Sequence, residues 1–269
     1  MPSASPSVSR LSGSLLRPHL PSLPPDLAWH GLLLIALAVS VGYLSFGATG
    51  FGASIISVTM AAHLLPLTYV VPLITSIDCV AVVNAMFRQW RVVEWREVRH
   101  LLVPMLVGIA IGLTLLVNLP RNVALFALGT FVSVFAVYAL SGIREWRAIR
   151  PRWAVPIGFV GGIFSALFGT GGPIYMIFLS SRIADKSALR ATSTVLVGLS
   201  VVIRTIAFIG SGMLLQPGLL WTALLMTPLM LLGYALGSRL HARISGAAVR
   251  KWIAWLLLAN GVSLIVRAI

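Results

Sequence analysis

The chain has 269 residues, of which 58% are hydrophobic and only 10% charged, and its mean hydropathy is +0.98. A water-soluble domain carries roughly 25% charged residues, so this composition excludes one and describes a polytopic helical membrane protein. The net charge of +14 does not argue for nucleic acid. The basic residues sit in short connections between apolar runs, where the positive-inside rule places them.

In chain order, residues 1–26, "MPSASPSVSRLSGSLLRPHLPSLPPD", are Pro/Ser-rich and read as a disordered tail. Residues 27–268 read as a single transmembrane domain of ten apolar segments. The first half gives about 28–47, 51–65, 67–87, 99–118 and 122–142. The second half gives about 153–168, 172–181, 188–210, 218–238 and 248–267. Two of these, 51–65 and 172–181, are short for a full crossing of the bilayer. Each follows a glycine cluster, "SFGATGFGAS" at 45–54 and "FSALFGTGGP" at 164–173, and glycines at this density weaken a helix. The single cysteine, Cys79, rules out an intrachain disulfide and any cysteine-built metal site. The five histidines are scattered, and nothing in the pattern calls for a cofactor or a metal.

The two halves read as repeats, about 28–142 and 153–267. Each runs from a glycine cluster through a short apolar run and a polar-spotted span to a span with glycines four apart, "GIAIG" at 108–112 and "GYALG" at 233–237. Glycines at that spacing mark close helix packing rather than chemistry. Sidedness sets the segment count. With five segments per half, the first two forming a hairpin bent at its glycines, fifteen of the 20 Lys and Arg fall on one face. The opposite face keeps only Arg10, Arg17, Arg121 and Arg267, with Arg204 inside a span. Four simple crossings per half would instead put the basic stretch from Arg239 to Lys251 outside. The charge bias therefore predicts an all-α protein of two inverted repeats, with paired Gly-broken hairpins meeting near the midplane and both termini outside.

Irregular backbone at membrane depth must be buried in protein or line a cavity. Past each cluster a short helix would begin, near Ala53 and near Pro173, and proline suits a first helical turn. A helix start offers free N–H groups and the positive end of the helix dipole. Two such starts facing each other make an anion site without needing a charged side chain. The candidates for contact with a small anionic substrate are Thr49, Gly50, Gly52 and Ser54 at the first break, and Gly169, Thr170, Gly171 and Gly172 at the second. Thr192 and Ser193, on the span after the second tip, join them.

The segments "GATGFGAS" and "FGTGGP", each opening a repeat, together with "LRATSTVLVGL" at 189–199, resemble the sulfite exporter TauE/SafE family over about residues 30–268. The first cluster departs from the resemblance in reading "GFGAS" where a fuller glycine run is usual. The resemblance implies transport of sulfite, sulfonates or related organosulfur anions across the cytoplasmic (inner) membrane. It leaves the direction and the oligomeric state open.

Two charges lie at membrane depth, Asp78 in "LITSIDCVAVVNAMF" and Arg204 in "GLSVVIRTIAF". Charged groups there are functional candidates by default. Arg204 is read as a substrate contact, against snorkelling toward the nearby outer loop or structural pairing with Asp78. Asp78 is the candidate for ion coupling, to protons or sodium, against a purely structural role. The expected activity is secondary transport by alternating access. A passive anion channel on the same scaffold, or transport of a non-sulfur anion such as a carboxylate, is the alternative. An intramembrane enzyme finds no support, since His63, His100 and His241 fall near segment ends and no Ser–His or two-aspartate constellation lies at depth.

Overall fold

A computed structural model describes residues 29–49, 52–141, 149–241 and 246–269. The expected N-terminal tail, 1–26, lies outside them. The described residues form ten α-helices, α1 Trp29–Thr49, α2 Ala53–Ala61, α3 Leu67–Gln89, α4 Trp95–Asn118, α5 Arg121–Leu140, α6 Ala154–Phe168, α7 Gly172–Ser180, α8 Lys186–Gly210, α9 Leu219–His241 and α10 Gly246–Ala268. Seven of them (α1, α4, α5, α6, α8, α9 and α10) are long and apolar enough to cross a membrane, and α3 carries a shorter apolar stretch, Leu67–Val82. Helices α2 and α7 have 9 residues each, about 14 Å at 1.5 Å per residue, or half a hydrocarbon core.

The helices pair in an ordered way. Helix α1 lies along α9, α4 along α6, α5 along α10 and α3 along α8. Exchanging each helix for the one five places later turns the α1–α9 contact into α6–α4 and returns the other two to themselves. The paired glycines occupy these contacts. A Cβ on Gly108 would strike the Phe159 carbonyl oxygen, and one on Gly112 would lie 2.7 Å from the Ile163 carbonyl oxygen, both on α6. On the other side, a Cβ on Gly237 would strike the Leu44 carbonyl oxygen and one on Gly233 would lie 2.8 Å from that of Ser40, both on α1. The four-apart glycines let backbones touch, as their spacing predicts.

Polar contacts show which connections share a face. The Arg182 guanidinium, just past α7, donates to both carboxylate oxygens of Glu97 on α4 at 2.7 and 2.8 Å and to the Ile149 carbonyl oxygen at 3.2 Å. The Glu94 N–H donates to Thr192 Oγ1 at 3.0 Å. The connections α3–α4, α5–α6 and α7–α8 therefore meet on one face, the face rich in arginine. Helix α8 carries the chain about 37 Å away from it. There Gln216 Nε2 donates to the Thr68 carbonyl oxygen at 2.9 Å, joining the α8–α9 connection to the first turn of α3. Exposed tryptophans stand near helix ends, Trp90, Trp153 and Trp252 among the basic connections and Trp221 at the opposite end of α9, as interfacial anchors do.

The hydrogen bonds to Glu97 hold the Arg182 guanidinium still more firmly protonated than usual. Both side chains are mostly sheltered, 18% and 10% exposed. Replacing Arg182 by alanine strands the Glu97 carboxylate and should cost about 1–3 kcal/mol, less than a fully buried pair because water still reaches it. Thermal unfolding in detergent measures this, and an unchanged midpoint would show that the pair does not hold the three connections together.

Candidate functional site

Both helix breaks form where the glycine clusters place them, and both use glycine for the same backbone reason. Gly52 precedes α2 with φ +95°, and Gly169 ends α6 with φ +70°. Left-handed backbone of this kind strains any residue with a Cβ. At Gly169 the chain closes α6 with the Gly169 N–H donating to the Ser165 carbonyl oxygen and the Thr170 N–H to that of Phe164. Helix α7 then starts at Gly172 with Pro173 in its first turn.

The two breaks touch. A Cβ on Gly169 would lie 3.5 Å from Ser54 Cβ and 3.2 Å from Arg204 Nη1. Around this contact the protein buries its charged pair. Asp78, 3% exposed, accepts from Tyr43 Oη at 2.6 Å and from Ser54 Oγ at 2.7 Å. Arg204, 1% exposed, donates through Nη1 to the Ser165 carbonyl oxygen at 2.6 Å, while Nη2 stands 3.8 Å from Asp78 Oδ2. Arg204 therefore does not snorkel; its head is turned inward to α6 and α3.

The placement of the two charges follows helix polarity. Asp78 is bonded to Ser54 in the first turn of α2, where free N–H groups favour an anion, and Arg204 meets a carbonyl at the end of α6, where a cation is favoured. A 3.8 Å separation is too long for a hydrogen bond, so the pair holds through charge and through the groups on either side. Around Arg204 lie hydroxyls that the sequence reading did not single out. Ser165 Oγ and Ser200 Oγ are hydrogen-bonded to each other, and Tyr175 is 1% exposed with its ring against Gly161 and Gly171.

Of the residues expected at the site, Gly52, Ser54, Gly169, Thr170, Gly171, Gly172, Asp78 and Arg204 lie at the two breaks or on the buried pair beside them. Gly50 and the Thr49 side chain lie outside the described residues. Gly171 serves packing, since a Cβ there would sit 2.6 Å from the Gly161 carbonyl oxygen, whereas one on Gly172 would meet only Val197 Cγ2 at 3.4 Å. Thr192 is not brought to this cluster. Its hydroxyl receives the Glu94 N–H on the basic face, about 18 Å along α8 from Arg204. Ser193 donates to Met176 Sδ on α7 at 3.4 Å. Ser76 and Thr194 bond back to carbonyls one turn earlier, of Pro72 and Arg190, as hydroxyls on membrane helices do. Tyr43 and Tyr175 were missed because one phenol in an apolar span resembles any core aromatic. The usable signal was their place, two residues before the first glycine cluster and two residues after Pro173.

Ten helices, seven of them long and apolar enough to cross a membrane, with two broken segments meeting at a buried ion pair, define a polytopic helical membrane protein. Residues 34–264 match the family described as sulfite exporter TauE/SafE. The chain belongs to the sulfite exporter TauE/SafE family. It is also 30% identical, over 65% of its own length and 74% of the relative's, to the "Probable inner membrane transporter protein TsaS" of Comamonas testosteroni. No solved structure matches it.

Proposed function

We propose that this protein is a secondary transporter that moves a small sulfur-containing anion, of the sulfite or sulfonate class, across the cytoplasmic membrane by alternating access of two inverted halves. The observation that carries the reading is the meeting of the two glycine breaks at a buried Asp78–Arg204 pair. Ionised groups at membrane depth are costly and mark substrate and ion pathways, and broken helices at a repeat interface are where secondary transporters bind their cargo. The exchange pattern of helix contacts supports two equivalent halves. The arginine-rich connections support a cytoplasmic basic face, and hence both termini outside. The relative's name as an inner membrane transporter supports the same membrane. Asp78 is the group we assign to coupling, with a proton or a sodium ion.

The test uses the purified full-length protein in proteoliposomes loaded with sulfite, sulfate, thiosulfate, taurine or sulfoacetate. A transporter shows saturable uptake that is accelerated by the same anion on the far side. Uptake that neither saturates nor responds to anion across the membrane would mark a passive channel on this fold. Exchange of acetate, loaded in a parallel set of vesicles, but of none of the five sulfur compounds would move the substrate class to carboxylates.

A further inference from the structure

We propose that the two helix breaks are chemically unequal: the substrate's anionic group is received at the start of α7 by Arg204, Thr170 and Tyr175, while Asp78 occupies the matching place at the start of α2. This rests on the reading of the chain as an anion transporter and goes further by naming which break takes the cargo and what fills the other.

The α2 start already has its anion. Asp78 accepts from Ser54 in the first turn of α2 and from Tyr43 of α1, and faces Arg204 of α8. The α7 start has none among the described residues. Of the other acidic side chains described, Glu97 is taken by Arg182, Asp185 caps α8 through the Ala188 N–H, and Glu94 lies in the α3–α4 connection. Yet three polar atoms beside that break are buried without a hydrogen-bond partner: Thr170 Oγ1, Tyr175 Oη and Arg204 Nε. Their residues are 2%, 1% and 1% exposed. Ser200, paired with Ser165, stands near Tyr175 and keeps a lone pair that could accept from it, but the two hydroxyls are not placed for a hydrogen bond, and Tyr175 Oη has no partner.

Buried polar groups are ordinarily satisfied, and each orphan asks for an explanation. Three orphans at one helix start, all able to donate, describe a ligand made of acceptors. Two hydroxyls, a guanidinium N–H and the Gly172 N–H at the start of α7 suit an anion with three oxygens spread around one atom, as in sulfite or a sulfonate; Pro173 has no N–H, and those of Ile174 and Tyr175 already donate to the Gly171 carbonyl oxygen. A planar carboxylate presents only two. Asp78, across Arg204, then stands as the resident anion that keeps the guanidinium neutralised when no cargo is present.

The experiment titrates purified full-length protein with sulfite by calorimetry, and with methanesulfonate and acetate as a matched pair. Tyr175→Phe and Thr170→Val should each weaken sulfite binding about tenfold or more, because a hydrogen bond to a charged ligand is lost. The same changes should leave the ligand-free unfolding temperature unchanged or raised, since an unsatisfied buried hydroxyl has gone. Methanesulfonate should bind the unaltered protein more tightly than acetate, and Tyr175→Phe should narrow that preference. Asp78→Asn should tighten sulfite binding about tenfold, because a like charge next to the ligand is removed. Sulfite binding undiminished in both hydroxyl variants, or weakened in Asp78→Asn, overturns the proposal while leaving the transporter reading intact. Failure of the unaltered protein to bind either sulfur anion overturns both.

Discussion

Replacing Arg204 by methionine should abolish sulfite exchange in proteoliposomes and lower stability by about 3–5 kcal/mol, the range for removing one partner of a buried ion pair. Methionine keeps much of the apolar stem, so the loss is chiefly electrostatic. The Asp78 carboxylate, 3% exposed, would retain only the Tyr43 and Ser54 hydroxyls, and the Ser165 carbonyl oxygen would lose its guanidinium donor. The second arm is the double variant Arg204→Met with Asp78→Asn. Removing both charges leaves no unpaired ion in the interior, so most of the lost stability should return while transport stays absent. Thermal unfolding in detergent reads the first effect and exchange kinetics the second. A double variant no more stable than Arg204→Met alone would locate the damage in packing. Exchange surviving Arg204→Met would remove the arginine from the transport site.

Leucine at Gly108, and separately at Gly237, should prevent accumulation of folded protein, with a cost of about 3 kcal/mol or more, at or above the upper end for overpacking. The atoms in the way belong to the main chain. At Gly108 they are the Phe159 carbonyl oxygen and Gly162 Cα at 3.0 Å, and at Gly237 the Leu44 carbonyl oxygen and the Ala48 nitrogen at 3.1 Å. Neither neighbour can rotate aside, so α4 must part from α6, or α9 from α1. Comparable losses at the two positions are expected from the matched contacts. Gly210 supplies the contrast, since a Cβ there meets nothing within 4 Å, and Gly210→Leu should behave as the unaltered protein in size-exclusion yield and unfolding temperature. Tolerance of leucine at Gly108 would show that α4 and α6 are not held at backbone contact.

Much of the architecture was legible in the chain itself because membrane insertion reads composition directly. Segment ends at Asn118, Phe168 and Gly210 were placed to within a residue or two by breakers such as Pro120, Gly169 and Gly212. The start of α4 was placed at residue 99 rather than Trp95, because the charges of Arg96 and Glu97 read as loop. Glu97 is nonetheless drawn into the helix by its hydrogen bonds to Arg182, which lies 85 residues away. No local pattern contains that pairing.

By itself the sequence determined the class, the ten segments, the two glycine breaks and the uneven charge between faces, since each follows from hydropathy, backbone freedom or residue counting along one stretch. Only the tertiary structure decided which groups meet at the breaks. It turned Arg204 inward to Ser165 and Asp78, set Tyr43 and Ser54 on the carboxylate, and drew Thr192 away to the Glu94 N–H. The physical reason is that satisfying a buried charge is a matter of distance in space. The partners of Asp78 come from positions 24, 35 and 126 residues distant along the chain, and only the packing of α1, α2 and α8 around α3 brings them within reach.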